Sequence, residues 1–452
     1  MPVGEKDSIW RYSRLREPAD PEQGWKLHVS ATILNACEIL ETVAAFLKSR
    51  NVFYKAPVSL HELKKLNAGI FYDYTQIGKF LTIYPQSDAQ SRQFAEELYQ
   101  LTLNFNAPLI PFETRFKPDG GVYYRYGAFK INVLKDADGG VLALRDEKGA
   151  LIPDLRATNG TFPDWVSNPF PAAKKSLPAG DSPLETRFRI YRALSQRGKG
   201  GVYQGFDLSV APPRRCLVKE GRRNGETEWN GRDGFWRVEH EKKVLETLRA
   251  AGIDVPRIYS SFEANDNLYL ATEFVEGENL HVHLKKRRRR LNILRAVELS
   301  VRLAGIVNKI HAAGWLWRDC KPANLMVTKN GDLRPLDFEG ACSIANPDYV
   351  SWSTLKAGTE NRAGEILSQT TEAIDLYALG AIIYLLFEGE LPAADKNRIK
   401  RFSRKNAPSK IKSLILNLLN APSAENINAA AVERELNKIL NKIRKEIIAS
   451  SV

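Results

Sequence analysis

Residues 311–341 read HAAGWLWRDCKPANLMVTKNGDLRPLDFEGA, and this stretch decides the fold of most of the chain. It places Asp319, Lys321, Asn324 and Asp337 in one short segment. Transfer of a phosphoryl group needs an acceptor for the proton of the substrate hydroxyl, oxygen ligands for Mg²⁺ and a cation near the transferred group. These residue types in this order supply each of those groups. The stretch therefore predicts a phosphotransferase.

A glycine-rich turn lies upstream, in the segment RALSQRGKGGVYQGF at 192–206. It separates two strand-like runs and contains Gly198, Gly200 and Gly201. Because glycine has no Cβ, the backbone N–H groups of such a turn can approach the phosphates of a nucleotide. We therefore interpret these glycines as candidate nucleotide-binding residues.

A lysine and a carboxylate follow the turn. Lys219 stands in the strand-like run RCLVKEG (215–221), where a kinase holds the nucleotide phosphates with a lysine that pairs with a helix carboxylate. The helical pattern over 236–252 offers Glu239 and Glu241. Glu241 shares the apolar face of that helix and Glu239 does not, so Glu241 needs a cationic partner. The pattern predicts a Lys219–Glu241 pair.

At these residues the chain resembles the protein kinase superfamily. The resemblance implies that Asp319 is the catalytic base and that Lys321 stabilises the moving phosphoryl group. It also implies that Asn324 and Asp337 hold Mg²⁺, with ATP or GTP as the phosphoryl donor.

Two residues depart from the pattern of that superfamily. Trp317 stands where most kinases have the histidine before Arg-Asp, and Glu339 stands where the glycine of Asp-Phe-Gly is expected. Neither replaces the base or a metal ligand, so we expect an active enzyme. The resemblance continues through AGTENRAGEI (357–366), where Glu365 fits the end of the activation segment.

Basic residues also recur in strand-like settings near the amino end. The run GWKLHVS (24–30) places Lys26 and His28 two positions apart, so on a strand their side chains project from one face. Basic groups and a histidine that converge on one face would bind a phosphate and leave groups over for proton transfer. Three further cations stand in such settings: Lys55, Lys79 and Arg125.

The motifs GWKLHVS, VFYK, GKFLTIYP and YYRYG resemble the phosphoserine/phosphothreonine lyase domain of class III and class IV lanthipeptide synthetases. The resemblance implies that His28 is the general acid and Lys55 the general base of a β-elimination. It implies that Lys26, Lys79 and Arg125 bind the phosphate. The resemblance covers nearly everything up to about residue 400, and the order of a lyase domain followed by a kinase domain is specific to that family.

The expected fold class is α+β, in three segments. Residues 1–135 are expected to form an α/β lyase-like domain, and the proline- and glycine-rich residues 136–186 a linker. Residues 187–452 are expected to form a two-lobed protein-kinase-like domain with a β-rich N-lobe, a helical C-lobe and a short helical extension at the carboxyl end.

The predicted function is a bifunctional peptide dehydratase. It would phosphorylate Ser or Thr of a ribosomal precursor peptide, made of a leader and a Ser/Thr-rich core, with NTP and Mg²⁺. It would then eliminate phosphate to leave dehydroalanine or dehydrobutyrine. No Cys or His follows Cys342, so we expect no zinc and no zinc-dependent cyclase in this chain; a separate cyclase is a possible partner.

The composition of the chain limits which ligands, cellular location and alternative functions remain to be considered. The net charge of +13 suits phosphate-bearing ligands or an acidic leader, and no aromatic-interleaved nucleic-acid motif accompanies it. The longest apolar runs are shorter than the ~20 residues of a membrane span, and no secretory signal opens the chain, so we expect a cytoplasmic protein. Two alternatives stay open: a signalling Ser/Thr kinase whose N-terminal domain only binds phosphopeptide, and an inactive scaffold.

Overall fold

The computed structural model describes residues 8–130, 132–134, 140–154, 162–171, 182–287, 290–347, 371–392, 407–420 and 427–450. The chain divides into two units, which are Met1–Val238 with Ser261–Leu270, and Glu239–Ser260 with Ala271–Val452. The predicted end of the activation segment at Glu365 lies outside the described residues.

A six-stranded sheet forms the N-terminal domain, and its strand order is β1–β3–β4–β2–β6–β5 with every neighbouring pair antiparallel. Its elements are β1 (Trp10–Tyr12), β2 (Gln23–Val29), α1 (Ala36–Ser49), β3 (Phe53–Pro57), α2 (Leu60–Ala68), β4 (Leu81–Tyr84), α3 (Asp88–Thr102), β5 (Thr114–Arg115) and β6 (Val122–Ala128).

Alternation along β2 separates the two faces of this sheet. Trp25, Leu27 and Val29 are buried in the apolar core, while the residues between them face the other side because successive strand side chains alternate. The sequence pattern predicts β2, β3, β4 and β6 and the helices α1 and α3. The Ser87 hydroxyl caps α3 by accepting the Gln90 N–H at 3.2 Å.

A three-stranded sheet follows β6 and consists of β7 (Val133–Leu134), β8 (Val141–Arg145) and β9 (Leu151–Pro153), in which β8 pairs with β9 as a hairpin. Aromatic residues beyond 135 contribute to the core of the N-terminal domain. Phe162 and Phe170 pack edge-on against Trp25, with ring centroids 5.1 and 5.3 Å apart. Part of the segment predicted as a linker is therefore packed on the domain before it. The predicted boundary at residue 135 itself stays a prediction.

A five-stranded sheet follows, with strand order β10–β11–β12–β14–β13. Its elements are α4 (Pro183–Thr186), β10 (Phe188–Arg197), β11 (Gly200–Asp207), β12 (Arg214–Gly221), α5 (Gly234–Ala250), β13 (Ile258–Ala264) and β14 (Asn267–Glu273). Strands β10 and β11 are joined by a tight turn, because Arg197 pairs with Gly200. This is the predicted sheet-rich lobe, and the predicted glycine-rich turn lies at its first hairpin.

The rest of the described chain is mostly helical, as predicted, so the α+β fold class is confirmed. Helix α8 is buried along almost its whole length, which explains why its sequence is apolar on every face. No helix among the described residues is long and apolar enough to cross a membrane. The elements are β15 (Glu278–Asn279), α6 (Leu280–Lys285), α7 (Ile293–Ala312), β16 (Trp315–Leu316), β17 (Leu325–Val327), β18 (Leu333–Pro335), β19 (Cys342–Ser343), α8 (Ala373–Glu388), α9 (Ser409–Leu419) and α10 (Ala429–Ser450).

Candidate active sites

Strand register brings four of the predicted N-terminal residues onto one face of the six-stranded sheet. Lys26 on β2 lies opposite Arg125 on β6. His28 on β2 and Lys55 on β3 both lie opposite Thr82 on β4. Residues that face each other across antiparallel strands point the same way, and their Cβ atoms lie about 5 Å apart. We call this face, defined by Lys26, His28, Lys55 and Arg125, the cationic face.

Lys79, which precedes β4, joins the cationic face through a carboxylate that the sequence analysis missed. Glu113 lies between the two basic side chains: its Oε2 is 2.6 Å from His28 Nδ1, and its Oε1 forms an ion pair with Lys79 Nζ at 2.7 Å. The side chains of all three are at most 6% exposed. A buried histidine and a buried lysine require a counter-charge, but nothing in the local sequence PFETRF identifies Glu113 as its source.

Burial dominates the electrostatics of this trio. It lowers the pKa of His28 to about 4, and nearby Lys79 and Lys26 act in the same direction against the opposing effect of Glu113. Burial alone would raise the pKa of Glu113, but its interactions with His28 and Lys79 outweigh burial and hold that pKa below its ordinary value. At neutral pH the free protein therefore holds a neutral imidazole whose Nδ1–H donates to a carboxylate.

Arg125 has its own buried acidic partner. Its guanidinium forms an ion pair with Asp154, whose side chain is 1% exposed and which also accepts the Ala128 N–H at 3.3 Å. Asp154 follows β9, within the segment that the sequence analysis assigned to a linker. This second carboxylate was also missed, because a lone Asp after a short strand has no distinguishing pattern.

A cavity of about 600 Å³ opens beside the cationic face. Lys55 Nζ lies 3.9 Å from the centroid of the Trp10 ring, and Lys26 Nζ lies 5.9 Å from that of Tyr84. Of the five predicted residues, only Lys26 and Lys55 line this cavity; His28, Lys79 and Arg125 do not. The lining residues are Trp10, Tyr12, Arg14, Leu15, Arg16, Lys26, Phe53, Lys55, Tyr84, Ala128, Phe129, Lys130 and Leu142.

Three of the predicted phosphotransfer residues form one hydrogen-bonded cluster. Lys321 Nζ lies 2.9 Å from Asp319 Oδ2, and Asn324 Nδ2 donates to the same oxygen at 2.8 Å. Because this nitrogen is engaged with Asp319, the side-chain oxygen of Asn324 is the atom that suits a metal ion. Asp337 is connected to Asn324 through its neighbour Leu336, whose N–H donates to the Asn324 carbonyl at 2.8 Å. An amide and a carboxylate oxygen fit Mg²⁺.

Trp317, the first departure from the kinase pattern, supports the backbone of Asp337. Its indole Nε1–H donates to the Asp337 carbonyl at 3.2 Å. Its ring stacks on Phe338, with centroids 5.4 Å apart and planes 23° apart. Asp337 has a positive φ of 61°, which is costly for a residue with a Cβ. The indole therefore helps to hold an unfavourable backbone conformation.

Asp375, at the start of α8, fixes the loop that carries Asp319. Its fully buried carboxylate accepts the Trp317 N–H at 2.7 Å and the Arg318 N–H at 2.8 Å. His311 Nε2 lies 2.9 Å from the same carboxylate. Asp375 is not among the predicted site residues, because its partners lie more than 50 residues away in the sequence.

Glu241 and Lys219 lie on the predicted elements. Glu241, on α5, is 3% exposed, and its Oε1 accepts the Phe338 N–H at 3.2 Å. Lys219, on β12, lies opposite Val202 on β11. The choice of Glu241 over Glu239 agrees with this burial, and the Lys219–Glu241 pair stays a prediction.

The predicted glycines of the β10–β11 turn differ in their surroundings. Gly200 has φ of 143°, and a Cβ there would lie 1.8 Å from the Glu220 carbonyl oxygen, so only glycine fits. A Cβ on Gly201 would meet the Tyr203 side chain. The Gly198 N–H donates to the carbonyl of Ala68, at the end of α2, at 3.0 Å. This N–H is therefore engaged within the protein.

Two family models match this chain. Residues 3–181 match the model described as RamC, N-terminal domain, and residues 208–447 match the protein kinase domain. Three similar proteins illustrate the match. A probable SapB synthase of Streptomyces coelicolor is 29% identical over 82% of this chain and 40% of its own length. The serine/threonine-protein kinase PknA of Nostoc is 25% identical over 46% of this chain and 38% of its own.

The serine/threonine-protein kinase pkn2 of Myxococcus xanthus is 31% identical over 46% of this chain and 25% of its own length. This chain thus spans two fifths or less of these three relatives. The match to two consecutive domain models confirms the predicted resemblance, with a RamC-type domain first and a kinase domain second. The chain belongs to the protein kinase family and carries a RamC N-terminal domain in front of its kinase domain.

Proposed function

We propose that this chain is a bifunctional peptide dehydratase for Ser and Thr. Its kinase domain phosphorylates the hydroxyl of a ribosomal precursor peptide, and its N-terminal domain eliminates the phosphate. The single observation that carries the proposal is the cationic face, because three basic side chains and a buried histidine share one face of a domain that precedes a protein kinase domain. The similarity to a probable SapB synthase supports a peptide as the substrate.

In the phosphorylation step, Asp319 accepts the proton of the substrate hydroxyl and Lys321 stabilises charge on the moving phosphoryl group. Asn324 and Asp337 would hold Mg²⁺ through their side-chain oxygens, and the metal would neutralise charge on the phosphates of ATP or GTP. Lys219, paired with Glu241, and the turn glycines Gly198, Gly200 and Gly201 are the proposed nucleotide-binding residues.

In the elimination step, Lys55 in its neutral form removes the α-proton of the phosphorylated residue. The electron pair of the Cα–H bond forms the Cα=Cβ double bond, and the Cβ–O bond breaks. His28 gives its proton to the departing phosphate oxygen, while Lys26, Lys79 and Arg125 hold the phosphate. The products are a dehydro-residue and inorganic phosphate.

His28 must be protonated to act as the acid, although burial keeps it neutral in the free protein. A phosphate dianion beside the imidazole favours its charged form, since a nearby opposite charge raises the pKa of a histidine. We therefore propose that the phosphorylated substrate brings about the protonation of His28. Glu113 then holds Nδ1–H and leaves Nε2 as the nitrogen that delivers the proton.

The test incubates the full chain with a Ser/Thr-rich peptide, ATP and Mg²⁺ and follows the mass of the peptide by mass spectrometry. Wild type is expected to remove one water per modified residue. His28→Ala and Lys55→Met are expected to accumulate phosphopeptide, with elimination slowed by about 10²–10⁴-fold because a proton-transfer group is lost. Lys130→Met is the matched control, since Lys130 lines the same cavity but is 58% exposed and pairs with Glu22.

Normal dehydration by both variants would rule out the elimination site. Phosphopeptide as the end product of the wild-type chain would favour the signalling kinase with a phosphopeptide-binding domain. An unmodified peptide, with no nucleotide binding that depends on Asp337, would favour the inactive scaffold.

A further inference from the structure

Helix α2 of the N-terminal domain contacts the kinase sheet and its neighbouring loop through buried and charged groups. Lys64 Nζ lies 2.7 Å from Glu228 Oε2, and Glu228 Oε1 lies 3.3 Å from Arg237 Nη2. The side chains of Glu228 and Arg237 are 4% and 2% exposed, and that of Lys64 is 27% exposed. Glu226 Oε2 adds a weaker contact to Arg237 at 3.9 Å. One buried carboxylate therefore bridges α2 to helix α5.

The same helix also contacts the glycine-rich turn. The Gly198 N–H donates to the Ala68 carbonyl at the carboxyl end of α2. A Cβ on Gly198 would lie 1.6 Å from the Asn67 carbonyl oxygen, so the turn approaches α2 as closely as glycine permits. Asn67 is itself fixed, because its Nδ2 donates to the Ala31 carbonyl and its Oδ1 accepts the Gly78 N–H.

These two contacts involve the elements on which a kinase depends for its nucleotide geometry. Protein kinases need both the glycine-rich loop and the helix that carries the conserved glutamate in place. Arg237 lies one turn before Glu241 on α5, so the two residues share one stretch of helical backbone. Glu241 in turn accepts the Phe338 N–H next to Asp337.

The loop that supplies Glu228 is held in a fixed shape. Asp233 accepts the Asn224 N–H at 2.6 Å through one oxygen and the Trp236 N–H at 2.9 Å through the other. The Arg222 N–H donates to the carbonyl of Lys199, within the glycine-rich turn, at 2.8 Å. A displacement of α2 is therefore expected to reach both the turn and the side chain of Arg237.

We propose that Lys64 and Glu228 are positioning residues for phosphorylation, so that the RamC N-terminal domain is part of the kinase machinery. The proposal concerns the kinase reaction and does not depend on elimination. Lys64 acts by holding Glu228, and through Glu228 the side chain of Arg237 at the start of α5.

The experiment measures phosphorylation kinetics of the full chain with ATP, Mg²⁺ and the peptide, in a His28→Ala background that keeps phosphopeptide as the expected end product. Lys64→Met is expected to raise the KM for ATP and lower kcat, with kcat/KM reduced about fivefold or more. Lys64→Arg, which keeps the positive charge, is expected to restore kcat/KM. Lys65→Met is the control, because the side chain of Lys65 is 32% exposed, close to the 27% of Lys64, but pairs with Glu62 inside α2.

Glu228→Gln and the double variant with both substitutions complete a double-mutant cycle for the Lys64–Glu228 pair. If the pair acts directly, Lys64→Met adds little to Glu228→Gln, whereas independent roles would give additive losses and overturn the proposal. Unchanged kinetics of Lys64→Met within twofold, equal losses in Lys64→Met and Lys65→Met, or no rescue by arginine would each overturn it too. Thermal unfolding of every variant shows whether a loss reflects positioning or an unfolded domain, and a loss that follows unfolding counts against the proposal.

Discussion

At the scale of single residues, the cationic face depends on two acids as much as on its cations. His28, Lys79 and Arg125 are buried or nearly so, and isolated charges in such a setting would be costly. Glu113 and Asp154 offset that cost by ion pairing. The basic residues could be predicted because each stands in a recognisable strand motif. Their acidic partners could not, because they come from loops that only folding brings to the sheet.

Glu113→Gln tests this compensation. Glu113 opposes the burial that lowers the pKa of His28, so its removal shifts that pKa further down. The limb of the pH–rate profile that reports protonated His28 is then expected to move to lower pH, and elimination at neutral pH to fall by about tenfold or more. The measurement is phosphate release from a synthetic phosphopeptide as a function of pH.

Glu96→Gln is the control for that experiment, because Glu96 pairs with Lys117 at the surface of the same domain and is half exposed. A profile of Glu113→Gln that coincides with the wild-type profile would contradict a role of Glu113 in setting the protonation of His28.

At the scale of secondary structure elements, alternation and helical period predicted most of the N-terminal domain. Helix α2 was missed, although its ends follow known rules: the Ser59 hydroxyl accepts the Glu62 N–H, and Gly69 ends the helix with φ of 65°. The Ser-x-x-Glu pattern SLHE at 59–62 was visible in the sequence. Nothing local, however, indicates that this helix contacts the kinase part of the chain.

The contact between helix α8 and the loop before Asp319 is a second contact that the local sequence does not indicate. Asp375→Asn places an amide NH₂ where the carboxylate accepts from two backbone donors and faces His311, so at least one donor loses its acceptor. The free energy of unfolding is expected to fall by about 2–4 kcal/mol, and the kcat for phosphorylation to fall with it as Asp319 loses its fixed position. Denaturant titration and peptide phosphorylation measure the two effects.

Asp332→Asn provides the comparison, since Asp332 is 58% exposed and pairs with Arg302 at the surface. It is expected to change the free energy of unfolding by less than about 1 kcal/mol. Equal effects of the two substitutions would mean that the buried network around Asp375 has no special role.

At the scale of the whole molecule, the proposed chain carries out two chemical steps with separate sets of residues. Two variants that each lack one step are therefore expected to complement each other in a mixture. Asp319→Asn is expected to abolish phosphorylation yet still eliminate phosphate from a synthetic phosphopeptide. His28→Ala is expected to phosphorylate without eliminating. An equimolar mixture of the two variants should then dehydrate the peptide, because phosphopeptide released by one becomes the substrate of the other. Mass spectrometry over time follows both species.

Failure of the mixture, with each variant active in its own half-reaction, would mean that the intermediate is not released between the steps. Elimination lost in Asp319→Asn itself would contradict the assignment of the two reactions to separate sets of residues.

The sequence by itself determined the order of domains and the residue types of both sites. Residues 311–341 and the N-terminal motifs are local patterns, and strand alternation already places Lys26 and His28 on one face. Tertiary structure decided what surrounds those residues. It brought Glu113 to His28 and Asp375 to the loop before Asp319, and it set Lys64 against Glu228. Local patterns encode backbone periodicity, whereas a buried charge finds its partner only when distant segments pack together.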